Sequence, residues 1–230
     1  MRNLLRALVA TAAILPVAAL ASITDASSLH NLSSGSGQTQ VCVFCHTPHG
    51  ANTATTALWN RRLPTNQFVW TKTNTVNGTL LPNKVSDGSL KCLSCHDGSQ
   101  ALGDVMNGPA TIKTNVTTKL NGTEYDLVTG TNNNDLGGNH PVGVPYPNQT
   151  TGGSYNGINV VAIAGFNAAA SVTTAGLRLY PDASVTGNAL GVECGSCHDP
   201  HGVTSGGATI AKFLRKDNAN SALCTTCHAK

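Results

Sequence analysis

All eight cysteines of this chain fall in four copies of one five-residue frame. The copies are Cys42-Val-Phe-Cys45-His46, Cys92-Leu-Ser-Cys95-His96, Cys194-Gly-Ser-Cys197-His198 and Cys224-Thr-Thr-Cys227-His228. Two thiols at this spacing reach the two vinyl groups of one porphyrin as thioethers, and the next residue places an imidazole on its iron from the same side. A single match would be weak, because Cys-x-x-Cys also serves redox dithiols and zinc sites. A zinc ribbon, however, has no use for a histidine at every fifth position, and the βαβ context of a thioredoxin-like dithiol is absent. Four matches with no cysteine left over predict four covalently bound haem c groups.

Histidine arithmetic gives the axial ligands. Four irons offer eight axial positions, and the chain has eight histidines. His46, His96, His198 and His228 come with the frames, which leaves His30, His49, His140 and His201 as the candidates for the opposite faces. A methionine ligand would raise the reduction potential, but Met1 and Met106 are the only two, and Met1 belongs to a predicted leader. Two of the four extra histidines sit in doubled motifs, Cys45-His46-Thr47-Pro48-His49-Gly50 and Cys197-His198-Asp199-Pro200-His201-Gly202. Residues three apart share one face of a helical turn, so the second histidine of each cannot swing to the far side of its neighbour's iron. As a ligand it must serve a different haem.

Read this way, the chain holds an imperfect repeat of lone histidine, doubled motif and simple motif. One two-haem unit spans about 30–100 and the other about 138–230, with a long segment at 101–190 reaching into the second. The expectation is one haem-filled domain over 22–230 rather than two separable ones. Residues 101–190 are rich in Thr, Asn and Gly, and Asn77-Gly78, Asn107-Gly108, Asn121-Gly122 and Asn156-Gly157 are turn signals. Short strands are expected at 125–128 and 158–164, and helix only as the short turns that carry the frames. The fold class predicted is a multihaem cytochrome c, mostly loops with short helices at the motifs, minor β-hairpins, and a haem stack as core.

The N-terminus carries Arg2 and Arg6, a largely apolar run over 7–20, and a small-x-small pattern at Ala19-Leu20-Ala21. That pattern predicts a secretory signal peptide over 1–21, cleaved before Ser22. The apolar run is too short for the ~20 residues of a membrane span. Removing 21 of 230 residues leaves 209, about 52 for each of four haems. Aromatics are only 4% of the chain, so porphyrins packed against one another are expected to supply the bulk that large side chains do not. Charged residues are 11%, with 14 basic and 11 acidic and no basic run, which argues against a nucleic-acid partner. Eight propionates and four ferric cores would carry the processed chain from +1 to about −3, reinforcing that exclusion.

The stretches Cys42-Val-Phe-Cys-His-Thr-Pro-His-Gly-Ala51, Lys91-Cys-Leu-Ser-Cys-His-Asp-Gly98, Gly138-Asn-His-Pro-Val-Gly143 and Glu193-Cys-Gly-Ser-Cys-His-Asp-Pro-His-Gly202 resemble the secreted multihaem c-type cytochromes with doubled motifs. Within that family the four-haem complement is similar to extracellular tetrahaem cytochromes of the OmcE type, from metal-reducing bacteria. The resemblance implies a homopolymer, a head-to-tail filament with a continuous haem chain that passes electrons to external acceptors or other redox proteins. The expectation is a non-enzymatic electron carrier, extracellular or at the cell surface. A monomeric periplasmic shuttle is the alternative, and a multihaem reductase a third reading that the histidine count disfavours. His30 precedes a Ser/Gly-rich stretch, Asn31-Leu-Ser-Ser-Gly-Ser-Gly37, expected to be flexible. It could reach an iron of its own chain or of a neighbour.

Overall fold

The computed structural model describes residues 22–71, 85–129, 134–182, 189–205 and 208–229. The predicted leader and the Asn77-Gly78 turn lie outside them. Regular structure is sparse, and much of it carries the attachment frames. A 3-10 turn at Val41–Phe44 leads into Cys45 and His46, and helix α1 (Asp87–His96) holds the whole second frame. Helix α2 (Ala110–Asn115) follows, then strands β1 (Val144–Pro145), β2 (Ser154–Tyr155) and β3 (Ile158–Asn159), helix α3 (Ala169–Thr174), and strands β4 (Tyr180–Pro181) and β5 (Leu190–Val192). Helix α4 (Cys194–Cys197) carries the third frame, strands β6 (Thr204–Ser205) and β7 (Ala208–Thr209) form a hairpin, and helix α5 (Ala222–Cys227) carries the fourth. A helical turn suits the frame because it puts the first cysteine, the second and the histidine on neighbouring positions of one face. The chain is mostly loop with short helices and small sheets, compatible with a cytochrome c.

The segment 101–190 departs from the expectation of loops and hairpins alone. The hairpin is there: Tyr155 pairs with Ile158 across Asn156 and Gly157, both at positive φ (52° and 78°), as a two-residue turn of this type requires. Of 158–164, only Ile158–Asn159 is strand. Residues 125–128 form no strand; they lie against the second frame, where Leu127 N–H donates to the carbonyl of His96 at 2.8 Å. The segment also holds α2 and α3, six residues each and without a side-chain N-cap. Under two turns, neither offers a period long enough to read, and burial sustains them instead. Ile112 of α2 packs on Phe44 and Val105; Val172 of α3 packs with Tyr146, Leu177 and Leu179.

The Ser/Gly arm after His30 is docked rather than frayed. Ser36 is fully buried; its hydroxyl donates to the Ser33 carbonyl at 2.7 Å, and its carbonyl accepts from Asn115 Nδ2 at 3.1 Å. Apolar burial among the described residues is divided into three small clusters, the two just named and a third of Phe68, Trp70, Val85, Leu93, Val128 and Leu136.

One polar knot joins the two halves of the chain. Glu193, 1% exposed, accepts hydrogen bonds from Ser86 and Ser89 at the start of α1 and from the Tyr155 hydroxyl at 2.6 Å. Its own N–H donates to Ser196 Oγ at 2.9 Å, capping α4. Burial pushes the Glu193 carboxyl above its ordinary range, against the pull of the three hydroxyls. Gly88 meets the Glu193 side chain at a distance where an added Cβ would lie 3.3 Å from Cγ, so α1 approaches as closely as glycine permits. Replacing Glu193 with Ala removes the shared acceptor of three hydroxyls, two of them buried, and is expected to cost about 2 kcal/mol, read as a lower midpoint of chemical denaturation.

Candidate haem sites

At three of the four frames the backbone after the second cysteine is held by the same antiparallel clip of three residues. Asn60 N–H donates to the Cys45 carbonyl, Trp59 bridges His46, and the Leu58 carbonyl accepts from Thr47 N–H. Arg215, Leu214 and Phe213 make the same three contacts with Cys197, His198 and Asp199. Asn167, Phe166 and Gly165 repeat them with Cys227, His228 and Ala229, although this clip precedes its frame in sequence. The first residue of each clip lies at positive φ: 51° at Leu58, 55° at Phe213 and 85° at Gly165. For the two non-glycine residues that conformation costs of order 1 kcal/mol or more.

The clip aims a carbonyl at the imidazole. His46 Nδ1 lies 2.6 Å from the Ala57 carbonyl oxygen, and His198 Nδ1 lies 2.9 Å from that of Lys212. At the second frame the Tyr125 carbonyl takes this place, 2.8 Å from His96 Nδ1. Three of the four extra histidines follow suit: His140 Nδ1 is 3.0 Å from the Pro141 carbonyl, His30 Nδ1 3.3 Å from that of Pro200, and His201 Nδ1 3.1 Å from Asp199 Oδ1. Carbonyl and carboxylate oxygens only accept, so Nδ1 carries the proton and Nε2 is left with its lone pair. That is the state in which an imidazole binds a metal.

The rings meet in pairs. Ring centroids are 6.2 Å apart for His30 and His96, 6.1 Å for His46 and His201, and 6.3 Å for His140 and His228. An iron–nitrogen bond of about 2 Å on each side, plus about 1.1 Å from Nε2 to each centroid, puts two axial imidazoles about 6 Å apart. Ordinary aromatic pairs also occur at such distances, but each of these joins one frame histidine to one of the other four, and no histidine is used twice. His30 faces His96 of its own chain, a geometry that fits ligation within the chain. No such ring contact joins His49 to His198 among the described residues. Met106 is exposed.

The residues present fit covalent haem. No disulfide joins any of the eight cysteines, and no group of three or more His, Cys, Asp or Glu that could hold a bare metal ion converges among the described residues. Trp59 Nε1 and Arg61 Nε are buried donors without a hydrogen-bond partner among the described residues. Both lie beside the first clip, where a propionate could be received. Arg61, fully buried, spends its other donors on the carbonyls of Ser94, Ala101 and Leu102. Cys92 and Cys194, of the second and third frames, adjoin where α1 packs against α4. Burial pushes the Cys45 thiol up to about 12, with Cys95 adding to it, and Cys197 to about 11.

Sequence reasoning did not single out the clip carbonyls, Arg61 or the role of Asp199. Every residue has a carbonyl, and nothing in composition marks which one faces a ring. Asp199 stood in the doubled motif, where Thr47 stands in the other copy, and that difference was the one available signal.

A family model described as the doubled CXXCH motif matches residues 187–230, which hold the third and fourth frames. A search among curated proteins finds no match. The family match supports a multihaem c-type cytochrome. Its motifs indicate covalent binding of haem c and suggest electron transfer. No helix among the described residues is long and apolar enough to cross a membrane. Replacing Cys224 and Cys227 together by Ser is expected to lower the intact mass of the matured protein by one haem; an unchanged haem complement would show that this frame holds none.

Proposed function

We propose that the chain is an exported tetrahaem cytochrome that transfers electrons through four bis-histidine haems and transforms no substrate. The observation that carries this reading is the set of three histidine pairs at 6.1–6.3 Å, each with one frame histidine and one other. His49 and His198 complete the set by their place in the motifs. The two doubled motifs carry matching clips, so the relation of His46 to His201 has its counterpart in His198 to His49. Each haem, when bound, supplies an iron that takes up and gives back one electron. Held by a histidine on each side, that iron would offer no open position for nitrite, peroxide or oxygen. Ligation by two histidines without methionine favours low potentials.

The pairing of His46 with His201 and the packing of α1 on α4 support close spacing of the first, second and third haems. The division of apolar burial into three small clusters supports porphyrins as the remaining filling. The resemblance to OmcE-type cytochromes supports an extracellular filament of repeated subunits as the working form; a monomeric periplasmic shuttle would use the same haems.

Intact mass is expected to exceed the processed polypeptide by four haems, with every ferric iron low-spin. His140→Ala is expected to open one iron, that of the haem on Cys224 and Cys227, seen as a high-spin signal from one haem in four. A substantial high-spin fraction in the unmodified protein would contradict the ligation and favour a reductase. Negative-stain electron microscopy of the secreted protein separates filament from shuttle.

A further inference from the structure

The two doubled motifs are alike in clip and histidine spacing but differ in one charged pair. In the second motif Asp199 Oδ1 lies 3.1 Å from His201 Nδ1, and Oδ2 lies 3.0 Å from an Arg215 guanidinium nitrogen. In the first, the same two places hold Thr47 and Asn60. The Thr47 hydroxyl donates to the His49 carbonyl at 2.8 Å, and Asn60 Nδ2 donates to the carbonyls of Val43 and Asn107. Of the six histidines whose Nδ1 partner is described above, five donate to neutral carbonyls and only His201 to a carboxylate.

We infer that Asp199 is a positioning residue that lowers the reduction potential of the haem on Cys42 and Cys45, through its hydrogen bond to His201. The inference rests on the proposed ligation, in which His201 faces His46 across that haem. An anionic acceptor on Nδ1–H draws the ring toward imidazolate, which makes Nε2 a stronger donor. A stronger donor stabilises the ferric iron over the ferrous one, so the potential falls. The carboxylate is aimed for this. Its Oδ1 also accepts the backbone N–H of His201 at 3.1 Å, closing a tight turn. Arg215 is itself fixed, donating through Nε to the Gly195 carbonyl at 2.6 Å and through its backbone N–H to Cys197 at 2.8 Å. The Arg215 charge moderates the effect without removing the acceptor. The counterpart haem on Cys194 and Cys197, to which the motif assigns His49, has Thr47 in that place. The two doubled-motif haems are thereby made unequal, with the one on Cys42 and Cys45 the stronger reductant for this term.

The test is spectropotentiometric titration of the haem-loaded protein with Asp199→Asn, an isostere whose Oδ1 still closes the turn. One of four potentials is expected to rise while the other three hold. All haems should stay low-spin, and the low-spin electron paramagnetic resonance signal of one should shift. Asp199→Thr, which copies the first motif, should reproduce the rise. Four unchanged potentials in both variants would overturn the inference, and so would a high-spin haem in Asp199→Asn, because Asp199 would then only hold the ring in place. His201→Ala tests the underlying ligation separately. One high-spin haem is expected, and a fully low-spin spectrum there would remove His201 as a ligand and the inference with it.

Discussion

An imidazole that is to offer iron its Nε2 is oriented best when Nδ1–H has a fixed acceptor, and for five of the six histidines with a described Nδ1 partner that acceptor is a backbone carbonyl. At three frames a three-residue clip locks the residues after the second cysteine in antiparallel register. The left-handed residues Leu58 and Phe213 accept local strain of order 1 kcal/mol each, and their neighbours Ala57 and Lys212 turn their carbonyls onto the rings. Residues 57–60, 125–127, 165–167 and 212–215 lie against the frame histidines and their neighbours.

The pairing of histidines gives the imperfect repeat a physical meaning. In each half the lone histidine faces the histidine of the simple frame, His30 with His96 and His140 with His228. The doubled motifs reach between the halves, His46 with His201. Glu193 adds a second tie, binding α4 in the second half to Ser86 and Ser89 in the first. Among the described residues, apolar burial falls in three small clusters rather than one large core. Polar and ring contacts join the halves, together with the packing of Val142 and Val144 against the cluster around Phe68 and Leu93.

The cysteine frames and their helical turns were legible in the sequence because both are local: five residues state the chemistry, and one helical turn satisfies it. The pairings were not, because His46 and His201 lie 155 residues apart and no spacing rule connects them. Helices α2 and α3 escaped for a related reason, since six residues held by Ile112 or Val172 alone leave no periodic trace. The Ser/Gly composition after His30 read as flexible, yet Ser36 and Asn115 dock it. Composition describes what an unpartnered segment would do, and this one has partners. Asp199 and Thr47 were visible as a difference between two copies of one motif, but only the hydrogen bond to His201 gives that difference a consequence.

The central claim is that irons sit between His30 and His96, between His46 and His201, and between His140 and His228. An experimental structure of the haem-loaded protein, at a resolution that shows axial ligands, tests it most directly. The account predicts one iron between the members of each pair, each bound on both sides through Nε2, with the haem attached at the adjacent frame. An iron at any of these frames with a different second ligand, or with none, would contradict it.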